Sequence, residues 1–121
     1  MPYDQLGTLG EDLAVDYLKK RQYVILKRNF RNKLAEVDII AEKDKTLCFI
    51  EVKTRTSQDY GHPLESITLA KQRKIILAAR IYLANQRLEE VMVRFDVVTI
   101  DFKNPKDYKL DHFESAFEAA D

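Results

Sequence analysis

The pattern of apolar and polar positions along the chain predicts two helices and at least four strands. Apolar residues recur every three or four positions over residues 5–21 and again over 68 to about 85, which is typical of amphipathic helices. Runs rich in β-branched and aromatic residues predict strands at 23–30, 36–41, 46–53 and 91–100, with a short edge strand or closing turn near 109–113. The predicted order is helix, three strands, helix and one or two strands.

The connections in this pattern are polar. Residues 42–45 read Glu-Lys-Asp-Lys and suit a tight hairpin turn between the second and third strands. Residues 54–63 predict a loop that is longer than most connections. Because 121 residues suit one domain and no repeat or linker is visible, the chain 1–121 is predicted to be a single α/β domain.

The third predicted strand carries charges where it is otherwise apolar. Its two-residue period places Glu51 and Lys53 on the face of Leu47 and Phe49, while the intervening residues form a second apolar face. Charged side chains are rarely buried unless they are paired or bound to a metal. Glu51 and Lys53 are therefore candidate functional residues. The alternative is a surface ion pair at the point where the strand leaves the sheet.

Asp38 interrupts the second predicted strand in a similar way. A two-residue loop at 43–44 would set it opposite Phe49 and diagonal to Glu51, and a four-residue loop would set it directly opposite Glu51. In both registers the α-carbons of Asp38 and Glu51 lie within about 5–8 Å, close enough for their carboxylates to hold one Mg²⁺ or Mn²⁺ ion. Lys53 would then stabilise charge during displacement at phosphorus or accept a proton from water.

Glu11 is a further candidate, from the first helix. It lies on a stripe with Gly7, Ala14 and Leu18, at intervals of four, three and four residues. That stripe is small and apolar, so Glu11 is expected to point inward or toward the rim of a cleft. The alternative is a buried glutamate paired with a neighbouring arginine or lysine.

Charge is segregated along the chain although its 20 basic and 20 acidic residues cancel. Residues 19–33 hold only basic charges, as do residues 66–84, and from about residue 101 an acidic tail is predicted, in which His112 is expected to be solvated. The single cysteine, the lack of a secretory signal pattern and the lack of a long apolar run predict a cytoplasmic protein with no membrane segment.

Several separated motifs, in this order, resemble the YraN family: GTLGE at 7–11, RNFR at 28–31, EVDIIA at 36–41 and FIEVKTR at 49–55. The similarity continues through Lys71 and residues 78–83 and 94–98, and Ala35 stands where the family commonly has glycine. These small bacterial proteins are regarded as endonucleases distantly related to archaeal Holliday-junction resolvases.

The resemblance implies a restriction-endonuclease-like fold of the PD-(D/E)XK type, with a mixed central sheet flanked by helices in the order α-β-β-β-α-β. It implies that Asp38 and Glu51 are metal ligands, that Lys53 is the catalytic lysine, and that Glu11 is the acidic residue which the first helix adds to the metal site. A homodimer is suggested by analogy with the resolvases.

Four residues are candidate nucleic-acid contacts: Arg31, Arg55, Lys71 and Gln72. Arg55 follows the site directly, its alternative role being a solvated loop charge, and Lys71 and Gln72 open the second helix, where N–H groups favour phosphate. In the loop, Tyr60 is a candidate for stacking on a base, whereas His62 is expected to be structural.

The leading hypothesis is a Mg²⁺- or Mn²⁺-dependent endonuclease that hydrolyses phosphodiester bonds in DNA, with branched or structured DNA as a candidate substrate. The alternative is a non-catalytic module on a nuclease fold that binds nucleic acid or a protein partner. Two carboxylates facing an anionic ligand favour the enzyme, because phosphate binding alone does not require them.

Overall fold

The computed structural model describes residues 3–56, 64, 67–88 and 90–119. The helices and strands, in chain order, are α1 (Tyr3–Lys20), β1 (Val24–Arg31), β2 (Glu36–Lys43), β3 (Thr46–Thr56), α2 (Leu69–Asn85), β4 (Met92–Asn104) and β5 (Asp107–Phe117). The predicted mixed α/β class and the order of its core elements are confirmed. Within the described ranges, no helix is long and apolar enough to cross a membrane.

The strands form one sheet in the order β1-β2-β3-β4-β5, with a helix packed on each face. Neighbouring strands are antiparallel except for β3 and β4, which run parallel because the chain crosses over through α2. Residues of β3 alternate between the two layers: Cys48 and Ile50 pack under α1, and Leu47 and Phe49 pack under α2. As predicted, the third strand is covered on both faces.

Four strands are longer than the sequence pattern predicts, β2 by two residues and the other three by more. β3 continues to Thr56 because its backbone pairs with β4 as far as Phe102. β4 itself continues to Asn104, and β5 covers Asp107–Phe117 rather than a few residues near 109–113. Residues 101–104 and 107–117 therefore belong to the sheet, which corrects the expectation of an acidic tail over this part of the chain.

The turn between β2 and β3 fixes their register. Asp44 and Lys45 occupy the left-handed region, with φ of 49° and 65°, as a two-residue type I′ hairpin turn requires. The turn lies one position later than the predicted two-residue loop, so Lys43 pairs with Thr46. Continued along the strands, this register sets Asp38 opposite Glu51, the arrangement that was predicted for a four-residue loop.

The sheet changes face beside Asp38. In β2, Ile39 packs in the α1 layer and Val37 in the α2 layer, although strict alternation would put both on one face. Their partners in β1, Arg28 and Phe30, flank Asn29, which has a φ of 52°. At Asn29 in β1 and Asp38 in β2, the order in which side chains alternate between the α1 layer and the α2 layer is reversed. The Asp38 side chain therefore does not follow the regular alternation of β2.

α1 approaches β3 closely at one glycine. A Cβ atom on Gly10 would lie 2.3 Å from Oγ1 of Thr54 and 3.4 Å from Cδ1 of Ile100, which is too near for any larger residue without a shift. At Gly7, one turn earlier, a Cβ atom would meet nothing within 4 Å. Gly10 therefore sets the distance between the helix that carries Glu11 and the strand that carries Lys53.

A buried polar network joins α1, β4 and β5. The Asp96 carboxylate accepts hydrogen bonds from the Arg94 guanidinium at 2.9 and 2.8 Å, from His112 Nε2 at 2.8 Å and from the Ser115 backbone N–H at 3.0 Å. The Tyr17 hydroxyl lies 3.2 Å from the other ring nitrogen of His112. The expectation that His112 is solvated is therefore wrong, because the histidine is a buried partner of Asp96.

Candidate active site

Asp38 lies where β2 and β3 begin to separate. The backbone pairing of the two strands extends from Lys43↔Thr46 to Ile39↔Ile50. Beyond that point one oxygen of the Asp38 carboxylate accepts a hydrogen bond from the backbone N–H of Val52 at 2.7 Å. The carboxylate thus takes the place of a ladder carbonyl, which fixes its position next to Glu51.

Glu51 lies on the α2 side of β3 with only 5% of the residue exposed. Lys71 Nζ lies 3.3 Å from its Oε2, whereas Oε1 finds no hydrogen-bond donor among the described residues. Burial and the neighbouring Asp38 carboxyl raise the pKa of Glu51 to about 9, although Lys71 acts in the opposite direction. The positive charge of Lys71 is therefore not enough to keep this buried carboxyl group ionised at neutral pH.

A cleft of about 280 Å³ opens between α1 and the separating strands. It is lined by Gly7, Glu11, Asp38, Val52, Lys53 and Thr54. Within the part of the chain that the structure describes, the Lys53 ammonium makes no hydrogen bond or ion pair. Three of the four predicted catalytic residues therefore border one cleft, and the fourth, Glu51, interacts with Asp38 behind it.

Glu11 reaches the cleft but is held by β1. Its Oε1 accepts hydrogen bonds from Arg28 Nε at 3.2 Å and from Asn29 Nδ2 at 3.1 Å, and its side chain is 15% exposed. These contacts of Glu11 match the alternative interpretation, a glutamate that is paired with a neighbouring arginine. No three carboxylate, imidazole or thiol groups converge on a single point among the residues described, so Glu11 does not join Asp38 and Glu51. Its role as a third ligand stays a prediction.

Lys71 enters the site from a direction that the sequence does not predict. Its ammonium contacts Glu36 Oε1 at 2.5 Å in addition to Glu51. Burial disfavours its charged form, but the hydrogen bond to Glu36 and the charge of Glu51 raise its pKa overall. Lys71 is thus a neighbour of the carboxylates. One hint of this contact in the sequence is that Glu36 lies two residues before Asp38. Its partner, Lys71, lies 35 residues further along the chain, so no local pattern connects the two.

The other predicted nucleic-acid contacts lie in differing surroundings. Arg55 belongs to β3, not to a loop, and its guanidinium makes two hydrogen bonds to the Asp101 carboxylate, at 2.6 and 3.0 Å. Gln72 Nε2 donates to the Ile67 carbonyl at 3.2 Å. Arg31 is exposed at the end of β1. The remainder of the predicted loop, residues 57–63 with Tyr60 and His62, lies outside the described residues.

Thr68 is the N-cap of α2. Its hydroxyl accepts a hydrogen bond from the Lys71 N–H at 3.1 Å, and its carbonyl accepts one from the Gln72 N–H at 2.9 Å. The first bond satisfies one of the backbone donors at the helix start, and the second is the first regular bond within the helix. The phosphate contact at this helix start stays a prediction.

The Asp38–Glu51 pair fits a divalent cation of the Mg²⁺ type. Both groups present carboxylate oxygens, which are the ligands such ions prefer, and Glu51 Oε1 has no protein donor within the described residues. A cation beside both groups would also offset their mutual repulsion. These two residues would hold the ion, leaving its other positions for water or phosphate oxygens.

The strand order and the residues at the separation of β2 and β3 define an α/β protein with a nuclease-like core. The chain matches the family described as "Uncharacterised protein family UPF0102" over residues 10–100. A UPF0102 protein of Geobacter metallireducens is 48% identical over 115 residues, covering 95% of this chain and 93% of its own. One from Clostridium perfringens is 46% identical over 113 residues, covering 93% of each chain. The chain belongs to the UPF0102 family, the YraN family that its motifs resemble.

Proposed function

We propose that this protein is a divalent-metal-dependent endonuclease that hydrolyses phosphodiester bonds in DNA. One observation carries the proposal: Asp38 and the buried Glu51 lie side by side at the separation of β2 and β3, and Lys53 borders the cleft that opens there. A carboxyl group with a strongly shifted pKa beside a cleft marks a candidate catalytic site.

Each residue has a distinct part in this chemistry. Asp38 and Glu51 hold the cation, which when bound polarises a phosphate oxygen and lowers the pKa of water. Lys53 places an ammonium at the cleft, where it stabilises the negative charge that develops on the phosphate. Glu11, held by Arg28 at the rim of the cleft, is the further acidic residue proposed for the metal site.

Cations near a site whose own groups are acidic support a substrate with a phosphate backbone, and DNA is the one proposed. The Lys71 hydrogen bond is the largest influence that lowers the pKa of Glu36, and the charges of Lys74 and Arg31 add to it. Lys71 is itself paired with Glu36 and Glu51, so the attraction is assigned to Lys74 and Arg31. Positive charge at this distance attracts a phosphate backbone and makes binding depend on salt. Arg55, which Asp101 neutralises, contributes to the sheet and not to this attraction.

The test measures metal binding and cleavage on the same preparations. Asp38→Asn and Glu51→Gln should abolish Mn²⁺ binding in calorimetry while leaving the fold intact. Lys53→Met should bind Mn²⁺ as the unaltered protein does, yet cleave a panel of duplex, flap and four-way DNA about 10²- to 10⁴-fold more slowly, the usual scale for a lost acid–base or electrostatic group. Asp44→Asn and Lys109→Met remove matched charges elsewhere and should change neither readout.

Two results would overturn the proposal. Undiminished Mn²⁺ binding by both carboxylate variants would show that the metal site is wrong. Tight DNA binding without any divalent-dependent cleavage, equal in the unaltered protein and in Lys53→Met, would instead establish the non-catalytic binding module.

A further inference from the structure

Lys71 joins two carboxylates that belong to different strands. Its Nζ lies 2.5 Å from Glu36 Oε1 and 3.3 Å from Glu51 Oε2. The Lys71 side chain is 29% exposed, that of Glu36 is 38% exposed and that of Glu51 is 7% exposed. The Lys71 ammonium therefore lies between a nearer partner, Glu36, which is partly exposed, and a farther partner, Glu51, which is buried.

The two carboxylates differ in the cations around them. The Glu36 carboxyl is influenced by Lys74 and Arg31 as well as by Lys71. For Glu51, Lys71 is the single basic side chain within ion-pair distance in the described portion of the chain. Loss of Lys71 would thus leave Glu51 without an ion-pair partner among the described residues, whereas Lys74 and Arg31 would still act on Glu36 at longer range.

We propose that Lys71 is a placeholder cation, which lies beside Glu51 until a divalent ion binds and is then retained by Glu36. The inference rests on the proposed function, since it takes the Asp38–Glu51 pair as the metal site. A divalent ion at Glu51 would repel an ammonium so near to it, and the shorter contact to Glu36 supplies the position to which that ammonium withdraws.

In this arrangement Lys71 and the divalent ion compete for Glu51, and their competition determines the affinity for the metal. Lys71 and the ion favour the same carboxylate, so removal of the lysine charge should tighten metal binding. Glu36 draws Lys71 away from Glu51, so neutralisation of Glu36 should weaken metal binding. The second effect operates through Lys71 and should disappear when Lys71 is uncharged, which separates it from a plain loss of negative charge near the site.

The experiment is a double-variant cycle on the full chain, with Mn²⁺ affinity from calorimetry as its readout. Lys71→Met should bind Mn²⁺ roughly tenfold more tightly, the scale of one nearby charge in a partly solvated site. Glu36→Gln should bind it roughly threefold more weakly, and the double variant should match Lys71→Met, as expected for coupled neighbours. Arg73→Met, which removes an exposed cation from the same helix, should change the affinity by less than about twofold.

Weaker or unchanged Mn²⁺ binding by Lys71→Met would overturn the inference, as would an equal effect of Glu36→Gln in both backgrounds. Lys71→Gln provides the same comparison if the methionine variant does not fold. Absence of Mn²⁺ binding in the unaltered protein, or its persistence in Asp38→Asn and Glu51→Gln, would instead overturn the proposed function. The two failures are therefore distinguishable.

Discussion

Glu51 illustrates how the surroundings of a single side chain determine its charge. In water a glutamate is ionised at neutral pH, but here burial and the adjacent Asp38 carboxyl raise the pKa to about 9. Desolvation penalises the charged form, and a second carboxyl group nearby adds repulsion. The residue is therefore most stable either protonated or beside a cation.

This pKa predicts how the stability of the metal-free protein depends on pH. Unfolded Glu51 titrates near its ordinary pKa of 4.5, so between that value and about 9 the folded state holds a proton that the unfolded state has lost. Stability contributed by the protonated group is thus complete below 4.5 and is lost as the pH rises toward 9. Urea unfolding in EDTA should show this loss, and Glu51→Gln should reduce it.

The control for this prediction is Glu42→Gln in the same hairpin, because Glu42 is an exposed glutamate on the neighbouring strand. A Glu51→Gln variant whose stability falls with pH as steeply as that of the unaltered protein would contradict the prediction.

The sequence predicts local neighbours among the site residues and misses remote ones. Asp38, Glu51 and Lys53 could be brought together on paper, because a strand alternates with a period of two and a short turn joins the strands. The contact of Lys71 with Glu36 depends on how α2 packs against the sheet, which no local period specifies. The same holds for the contact of His112 on β5 with Asp96 on β4, for which the local signal was the two polar residues Arg94 and Asp96 within an apolar strand.

At the scale of elements, the position of α1 over β3 decides the width of the cleft. Gly10 lets the helix backbone approach Thr54, and Gly7 leaves space above the site. Both glycines lower helix propensity by about 1 kcal/mol relative to alanine, so each weakens the helix in isolation. Only Gly10 has a packing reason for this cost.

The two glycines should therefore respond in opposite ways to alanine. Gly10→Ala should destabilise the protein by about 1–3 kcal/mol, because the new methyl group overlaps Thr54 Oγ1 and the core must shift. Gly7→Ala meets no atom and should be neutral or stabilising by up to about 1 kcal/mol. Denaturant unfolding of both variants gives the comparison.

Thr54→Ala tests the cause of the Gly10 effect. It removes the Oγ1 atom that the new methyl group would meet, so Gly10→Ala should cost less in that background. Equal costs in both backgrounds would show that the close contact is not what requires glycine.

The sequence predicts the extent of a strand only as far as apolar and polar residues alternate along it. The predicted ends of the third and fourth strands fall where apolar residues stop, yet backbone pairing continues to Thr56 and Asn104. Arg55 and Asp101 extend the pairing with an ion pair across the two strands. The sequence shows both charges, but their register depends on the crossover through α2.

At the scale of the whole molecule, the Asp96 network holds the C-terminal strand to the rest of the fold. Burial alone would raise the pKa of Asp96, but hydrogen bonds from His112, Arg94 and the Ser115 backbone bring it below the ordinary value. Stability from this carboxylate is therefore present above the unfolded pKa of 3.8 and is lost as the pH falls through the lower folded value.

Asp96→Asn should destabilise the protein at neutral pH by about 3 kcal/mol, the scale for breaking a buried charged pair and leaving its partners unsatisfied. The measurement is urea unfolding at pH 7, with Asp111→Asn as the matched control. Among the described residues, the ion pair of the Asp111 carboxylate is with the exposed Lys109 at 3.8 Å, so its loss should cost less than about 1 kcal/mol. Similar costs for the two variants would contradict a structural role for the network.

The change of face at Asn29 has a consequence for self-association through the edges of the sheet. β1 and β5 are its outer strands, and an edge with a long run of free backbone groups invites another chain to add a strand. Asn29 breaks that run in β1, where Lys27 and Arg31 add charge, and Ser115, with a φ of 51°, breaks it in β5 beside the register shift between Phe95 and Val97. The irregularity beside Asp38 thus also shortens the run of regular edge backbone with which another chain could pair.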